Sequence, residues 1–377
     1  MRKRELMLGL GIFFLSGLNV FSVQNQIIIK NRMDIEDTFS KIHVIVAGDA
    51  MCHSPQMTHA QTATGNYDFS GCFQYVTDIL SKGDLNIINL ETTLAGAPYS
   101  GYPQFCAPDE FALALKDAGF NFFLLANNHC ADKGTKGTIS TIEKLQDLQV
   151  RSAGTYLNDD DRKNRYPAIV DVNGIKMALL NYTYSTNGIA VSKPVIINDL
   201  NDTLQIIKDL EVAKNSEADI IIAFLHWGTE YSQTPDDKQK EQARFFFKNG
   251  TDIIIGSHPH VVQPVEYFSY DSSDTTKKKL IYWSLGNFIS NQRKEHTDGG
   301  IMASFTISKN KTTNSIQIEN ETSIPYWVYR NTTLPPGYFV LPAERFLNAS
   351  TFTFADEDLT AFQRFVNNTN KILKIIE

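Results

Sequence analysis

Residues 256–260 read Gly-Ser-His-Pro-His and follow the apolar run at 251–255. Two imidazoles spaced two apart can be ligands of a metal ion, or two turn residues among the turn formers Gly, Ser and Pro. The endings of other apolar runs bear on the choice. Residues 43–47 lead into Gly48-Asp49, 85–89 into Leu90-Glu91, 121–126 into Asn127-Asn128-His129, and 219–225 into His226-Trp227. Taken singly, Asp49 reads as a turn or helix-cap residue and His129 as a satisfied histidine. Turn chemistry alone, however, favours Gly, Asn, Asp and Ser. It does not gather four of the eight histidines of the chain at such endings.

Carboxylate, imidazole and amide oxygen without thiolate suit Mn, Fe, Zn or Co, with Mg also compatible, and disfavour copper and iron–sulfur clusters. The donors exceed what one tetrahedral ion needs. Two ions about 3.5–4 Å apart and bridged by a carboxylate would use them, and such a pair activates water at neutral pH. The chemistry expected is hydrolysis or group transfer at one or two divalent ions.

The elements that must position these residues alternate. HVIVAGDA reads as a strand, 70–83 as an amphipathic helix, LNIINLE as a strand, 108–119 as a helix, NFFLLANNH as a strand and 134–148 as a helix. This is an α/β pattern, and in open α/β sheets ligands bind outside the carboxyl ends of the strands. Asp132 and Gly134 read as the start of the helix that follows His129. Asn173-Gly174 sits between two apolar runs as a hairpin turn. Helices near 199–213 and 236–248 flank the strands ending at His226 and Ser257. Four closely spaced strand-like runs then predict a second sheet in a strand-rich second half, and an amphipathic helix closes the chain.

The 377 residues are 42% hydrophobic and 20% charged, the composition of a globular protein. A net charge of −7, with no long basic run beyond the N-terminus, excludes a nucleic-acid partner. Residues 1–22 carry Arg2, Lys3 and Arg4 before an apolar stretch and read as a signal peptide or an uncleaved anchor, so an exported protein of the periplasm or cell surface is expected. Cys52, Cys72, Cys106 and Cys130 are an even set that permits disulfides in that setting. If the Cys52 and Cys130 loops meet at one edge, a bridge between them would brace the site and leave Cys72 with Cys106; two small apolar side chains in the core are the other reading.

The ordered set GD, NLE, NNH, HWG, GSHPH and SLGNF resembles the CapA-type poly-γ-glutamate capsule-synthesis proteins, a branch similar to the calcineurin-like metallophosphoesterases. The resemblance runs from about His43 to Ile301. It implies a four-layered α/β sandwich over a domain at 41–310, with a strand and helix extension at 311–377 packed on it. It implies Asp49 and His260 on a first ion, Asn128, His226 and His258 on a second, Glu91 as the bridge, and His129 as a non-ligand acid. The parent superfamily usually has His two residues after the first Asp, where this chain has Met51, so a single-ion site is also open; His53 would substitute only if its loop bends back. Trp227, Tyr231, Tyr184 and Tyr102 either line a substrate groove or pack. Asn287 either holds a loop near the ions or makes a plain turn, and Arg293 and Lys294 either meet an anionic substrate or are solvated.

The leading expectation is thus an exported metal-dependent hydrolase or transferase acting on an anionic or peptide-like envelope polymer beside membrane-bound capsule machinery. The alternatives are a periplasmic phosphoesterase or nucleotidase, and a non-catalytic capsule-assembly protein that keeps the fold.

Overall fold

The computed structural model describes residues 38–271, 273, 278–331, 333, 335–347 and 353–374. The segment read as a signal peptide lies outside them. Strand β1 (Phe39–Ala50) begins the fold. Its side chains alternate, as the two-residue period of a strand requires: Ile42, Val44 and Val46 enter one core, Ile45 and Ala47 another. Short helices α1 (Ser54–Ala60) and α2 (Thr77–Leu80) precede β2 (Leu85–Leu90). The helix expected over 70–83 is therefore broken into a 3-10 turn, Ser70–Cys72, and the single turn of α2. Gly71 and the β-branched pair Val76-Thr77 weaken the helix. Gly71 also lies so close to Pro336 that a Cβ there would come within 2.8 Å of the proline ring.

Helix α3 (Asp109–Ala118), β3 (Phe122–Leu124), α4 (Gly134–Asp147) and β4 (Arg151–Ala153) continue the alternation, and β1 to β4 are parallel neighbours. Phe111 and Leu115 of α3 and Ile142 and Leu145 of α4 cover the outer face of this sheet. Then come β5 (Thr155–Tyr156), α5 (Asp159–Arg165) and a hairpin of β6 (Ala168–Val172) and β7 (Ile175–Thr183). Its turn residues Asn173 and Gly174 both have positive φ, 55° and 75°, as a two-residue turn of this hand needs. Strand β8 (Ile196–Ile197) pairs with β5.

The second sheet grows from α6 (Thr203–Asn215), β9 (Ile220–His226), α7 (Asp237–Lys248), β10 (Ile253–Ser257), β11 (Val265–Ser269) and β12 (Lys278–Tyr282). Its order is β11-β12-β10-β9-β7-β6, with β7, β9, β10 and β12 parallel. Asp236 caps α7 by accepting from the Gln239 amide, and Gln239 answers with its own side chain.

Of the four strand-like runs expected to make a second sheet, those giving β11 and β12 join it, whereas β14 (Gly299–Asn310) and β15 (Ile316–Arg330) do not, nor do β13 (Asn287–Ile289) and β16 (Tyr338–Pro342). These four return to the first, whose order is β16-β15-β14-β1-β2-β3-β4, with β13 parallel to the end of β1. The reason lies in β1, which is twice as long as β2 and buried on both faces: its free edge must be paired along its length. Helices α8 (Ala343–Phe346) and α9 (Asp356–Leu373) complete the chain, and Phe362 of α9 stacks on Trp327 of β15 at 5.1 Å. The result is a four-layered α/β sandwich. One core joins the inner faces of both sheets and the underside of α6 and α7, and a second lies between the first sheet and α3 and α4. Among the described residues no helix is long and apolar enough to cross a membrane.

Candidate metal centre

Parallel strands of both sheets end at one place. Asp49 closes β1, Glu91 follows β2, Asn127 to His129 follow β3, His226 is the last residue of β9, and His258 and His260 follow β10. At Gly48 the backbone of β1 presses on the loop before β13; a Cβ there would lie 1.9 Å from the Gly286 carbonyl oxygen. His258 and His260 hold positive φ, 98° and 59°, a conformation that costs a residue with a side chain about 1–3 kcal/mol. That strain folds the turn back so that both rings face the centre, 5.8 Å apart.

Asp49 is fully engaged: Asn89 Nδ2 donates to its Oδ1 at 2.8 Å, and the His258 backbone N–H to its Oδ2 at 3.2 Å, with His260 Nδ1 also 3.2 Å from Oδ2. His226 Nε2 lies 2.8 Å from Asn128 Oδ1, and its Nδ1 3.0 Å from Ser257 Oγ. If Nδ1–H donates to Ser257, Nε2 presents a lone pair to the centre. Asn287 Oδ1 sits 3.0 Å from His260 Nδ1. Glu91 is different. Both of its oxygens are buried without a hydrogen-bond partner, and Oε1 lies 3.7 Å from His226 Nε2 and 3.8 Å from His260 Nε2. His258 Nδ1 is likewise buried and unpartnered.

Burial pushes the Glu91 carboxyl well above the usual carboxylate range, and the neighbouring Asp49 adds to it. Burial pushes His226 and His258 well below the usual imidazole range, and each is held further down by the other imidazoles. Neutral imidazoles around an orphaned carboxylate are what a divalent cation would satisfy: it supplies the charge that Glu91 lacks and takes up nitrogen lone pairs. Two donor sets lie within reach of one ion each, Asp49 with Glu91 and His226, and Glu91 with His258 and His260, the atoms of each set within 4.8 Å of one another. Glu91 is common to both. The resemblance pairs Asp49 with His260, and those two side chains also lie together, His260 Nδ1 3.2 Å from Asp49 Oδ2.

His129 stands beside the donors and has a partner of its own. Asp132 Oδ2 accepts from its Nδ1 at 2.7 Å and from the Phe105 backbone N–H at 2.6 Å. Asp132 is therefore an orienting carboxylate for His129 more than the start of a helix, and the spacing of three residues between them was its signal. Phe105 is edge-on to His129 at 4.7 Å and to His53 at 4.9 Å, so both imidazoles rest on one apolar ring. His53 Nδ1 lies 3.2 Å from the Asn291 backbone nitrogen, a donor, and 3.2 Å from Gln56 Oε1, an acceptor. Burial pushes the His53 imidazole down to about 4. Its Nδ1 is thus engaged, and His53 belongs to neither donor set. Met51 is buried and ties β1 to β13 through its backbone N–H to the Ile289 carbonyl, 2.8 Å.

Other expected residues divide. Tyr231 reaches the rim, its ring 6.2 Å from His260 and capped by Lys294 Nζ at 3.8 Å. Tyr184 lies 4.6 Å from the His258 ring, whereas Tyr102 is exposed. Trp227 does not line a groove: it is fully buried, stacked on Trp283 and donating to its carbonyl at 3.1 Å, because the strand period turns it from His226 into the core. Asn287 is buried against His260 and the Thr297 carbonyl, so it positions a ring and offers a substrate nothing. Arg293 donates to the Val328 carbonyl at 3.3 Å and lies over the Tyr338 ring. All four cysteines are buried free thiols, so neither bridge is present; Cys52 and Cys72 pack in the outer core instead. Asn89 escaped the sequence reading, although a buried amide inside the apolar run of β2 was a visible anomaly.

The family described as "Bacterial capsule synthesis protein PGA_cap" matches residues 43–292. The "Capsule biosynthesis protein CapA" of Bacillus anthracis is 29% identical over 283 residues, 72% of this chain and 65% of that protein. The "PGA biosynthesis protein CapA" of Bacillus subtilis (strain 168) is 31% identical over 252 residues, 64% of this chain and 62% of that protein. The matches thus span a little under two thirds of the length of each relative. A solved calcineurin-like phosphoesterase from Bacillus subtilis superposes with a TM-score of 0.45 at 13% identity, covering 89% of this chain and 99% of that one.

Proposed function

The chain belongs to the PGA_cap family of bacterial capsule synthesis proteins, and from that membership we propose that it is a metal-dependent hydrolase or transferase of a cell-envelope polymer. The observation that carries the reading is Glu91, a fully buried carboxylate with both oxygens unpartnered between His226 and His260. Asp49, Glu91, Asn128, His226, His258 and His260 would hold one or two ions of Mn, Fe, Zn, Co or Mg. A bound divalent ion would supply Lewis acidity and a water of lowered pKa.

The remaining steps fall to the chain. Asp132 accepts from Nδ1 of His129 and so orients the ring, leaving Nε2 to give a proton to the leaving group. Phe105 excludes water from one side of that ring. The substrate is an anionic or peptide-like polymer of the poly-γ-glutamate kind, handled outside the cytoplasmic membrane beside membrane-bound synthesis machinery. The names of the two relatives and the leader at 1–22 support that assignment.

Elemental analysis of protein purified without a His-tag, followed by turnover of phosphomonoesters, phosphodiesters and γ-glutamyl peptides with Mn, tests the reading. His129→Ala and Asp132→Asn should lower kcat by about 10²–10⁴-fold with metal content unchanged. Absence of stoichiometric metal, or full turnover in His129→Ala, overturns it.

A further inference from the structure

Beside the centre, at the end of β7, a cleft of about 690 Å³ opens between β8 and the segment that joins the two strands. That is within the range of small-molecule pockets. Tyr184 belongs to both places, lining the cleft and lying 4.6 Å from the His258 ring. The loop is tied down at several points. Asn128 Nδ2 donates to Asn187 Oδ1 at 3.4 Å, the Ser192 backbone N–H to Thr135 Oγ1 at 2.8 Å, and Thr186 Oγ1 to the Ile189 carbonyl at 2.8 Å. The cleft is therefore held by the same elements that hold the centre.

Its chemistry is unlike that of the centre. Ile189 and Val191 line it half-buried, yet neither joins either core. Val195, Ile196 and Ile197 add apolar surface, and the charged lining residues are Asp159, Lys193 and Asp199, all exposed at the rim. One cation against two carboxylates gives no field that would draw in a polyanion. Apolar side chains that no part of the fold covers gain by taking an apolar ligand.

Resting on the reading of the centre as hydrolytic, we infer that this cleft is a subsite for an uncharged alkyl-type chain, attached to the group that reacts at the metal centre. The polymer's charged part then lies on the other side of the centre, toward Tyr231 and Lys294. The substrate class is an amphiphile, an acyl or phosphoryl group with a lipid-like arm.

Calorimetric titration of the full, Mn-loaded chain with n-alkyl phosphates, methyl to octyl and below the micelle concentration, tests this without turnover. Octyl phosphate should bind on the order of a hundredfold tighter than methyl phosphate. In the Ile189→Asp/Val191→Asp variant that gain should fall below about fivefold, with methyl phosphate binding unchanged. The same lengths as uncharged n-alkyl glucosides read the cleft alone. A gain among glucosides with no phosphate binding supports the cleft and overturns a phosphoryl group as the one that reacts at the centre. Phosphates that bind without a length dependence, or a gain that survives in the double variant, overturn the cleft.

Discussion

Two buried polar clusters in this molecule have opposite characters. Around Asp209 of α6 both carboxylate oxygens are matched. Arg162 grips them at 3.1 and 2.6 Å, Tyr182 donates at 2.7 Å and Gln205 at 2.9 Å, and the guanidinium Nε–H goes to Asn198 Oδ1. Around Glu91 the carboxylate has no donor at all, and His258 Nδ1 is empty too. Burying a carboxylate without partners costs several kcal/mol, so a fold does not keep one there for stability. The matched cluster holds α5 and α6 to the second sheet. The unmatched one is a place kept for something the chain does not encode.

That contrast can be broken from either side. Asp209→Ala strands the Arg162 guanidinium and should cost about 3–5 kcal/mol in chemical denaturation, while metal content per folded molecule stays the same. Acid should act chiefly on the other cluster. His53 sits at about 4 in the fold against an ordinary value near 6.5, so the unfolded chain takes up its proton first. Its contribution is present above about pH 6.5 and lost as pH falls toward 4, up to about 3 kcal/mol, with His226 and His258 acting in the same direction. Denaturation of metal-free protein across that window checks it, and His53→Gln should flatten the slope.

Glu91→Gln should do what no change near Asp209 can: raise stability while abolishing function. The folded Glu91 carboxyl is held above its unfolded value, so its stability cost appears as pH rises past the unfolded value and is present at pH 7. Removing it should gain the metal-free protein about 1–2 kcal/mol by calorimetry, with loss of metal binding. The smallest effect belongs to Asn287→Ala, which frees the His260 ring. Metal affinity should drop about tenfold in a chelator competition, with the metal still bound.

The convergence of Asp49, Glu91, Asn128, His226, His258 and His260 was legible in the sequence because each lies at or just past the end of a strand, and strand ends in an α/β sheet converge by construction. Asp132 was hidden because a carboxylate before a helix has an ordinary explanation as a cap. Trp227 misled because an aromatic beside a histidine is read by its sequence neighbour, whereas a strand sends successive residues to opposite faces. The return of β14 to β15 to the first sheet was not readable at all, since alternation says which face is buried and nothing about which strand lies alongside.

That return fixes when the protein can fold. Val46 of β1, three residues before Asp49, takes as its neighbour Ala303, so the strand that carries the first carboxylate waits for chain made much later. Contacts so distant in sequence slow folding and leave intermediates with an open strand edge during synthesis. The region matched to the family ends at residue 292, before β14 begins at Gly299. A fragment trimmed to that region would carry every donor of the centre and a long, bare, apolar edge on β1, and its fate would be association with its own copies before any metal arrived.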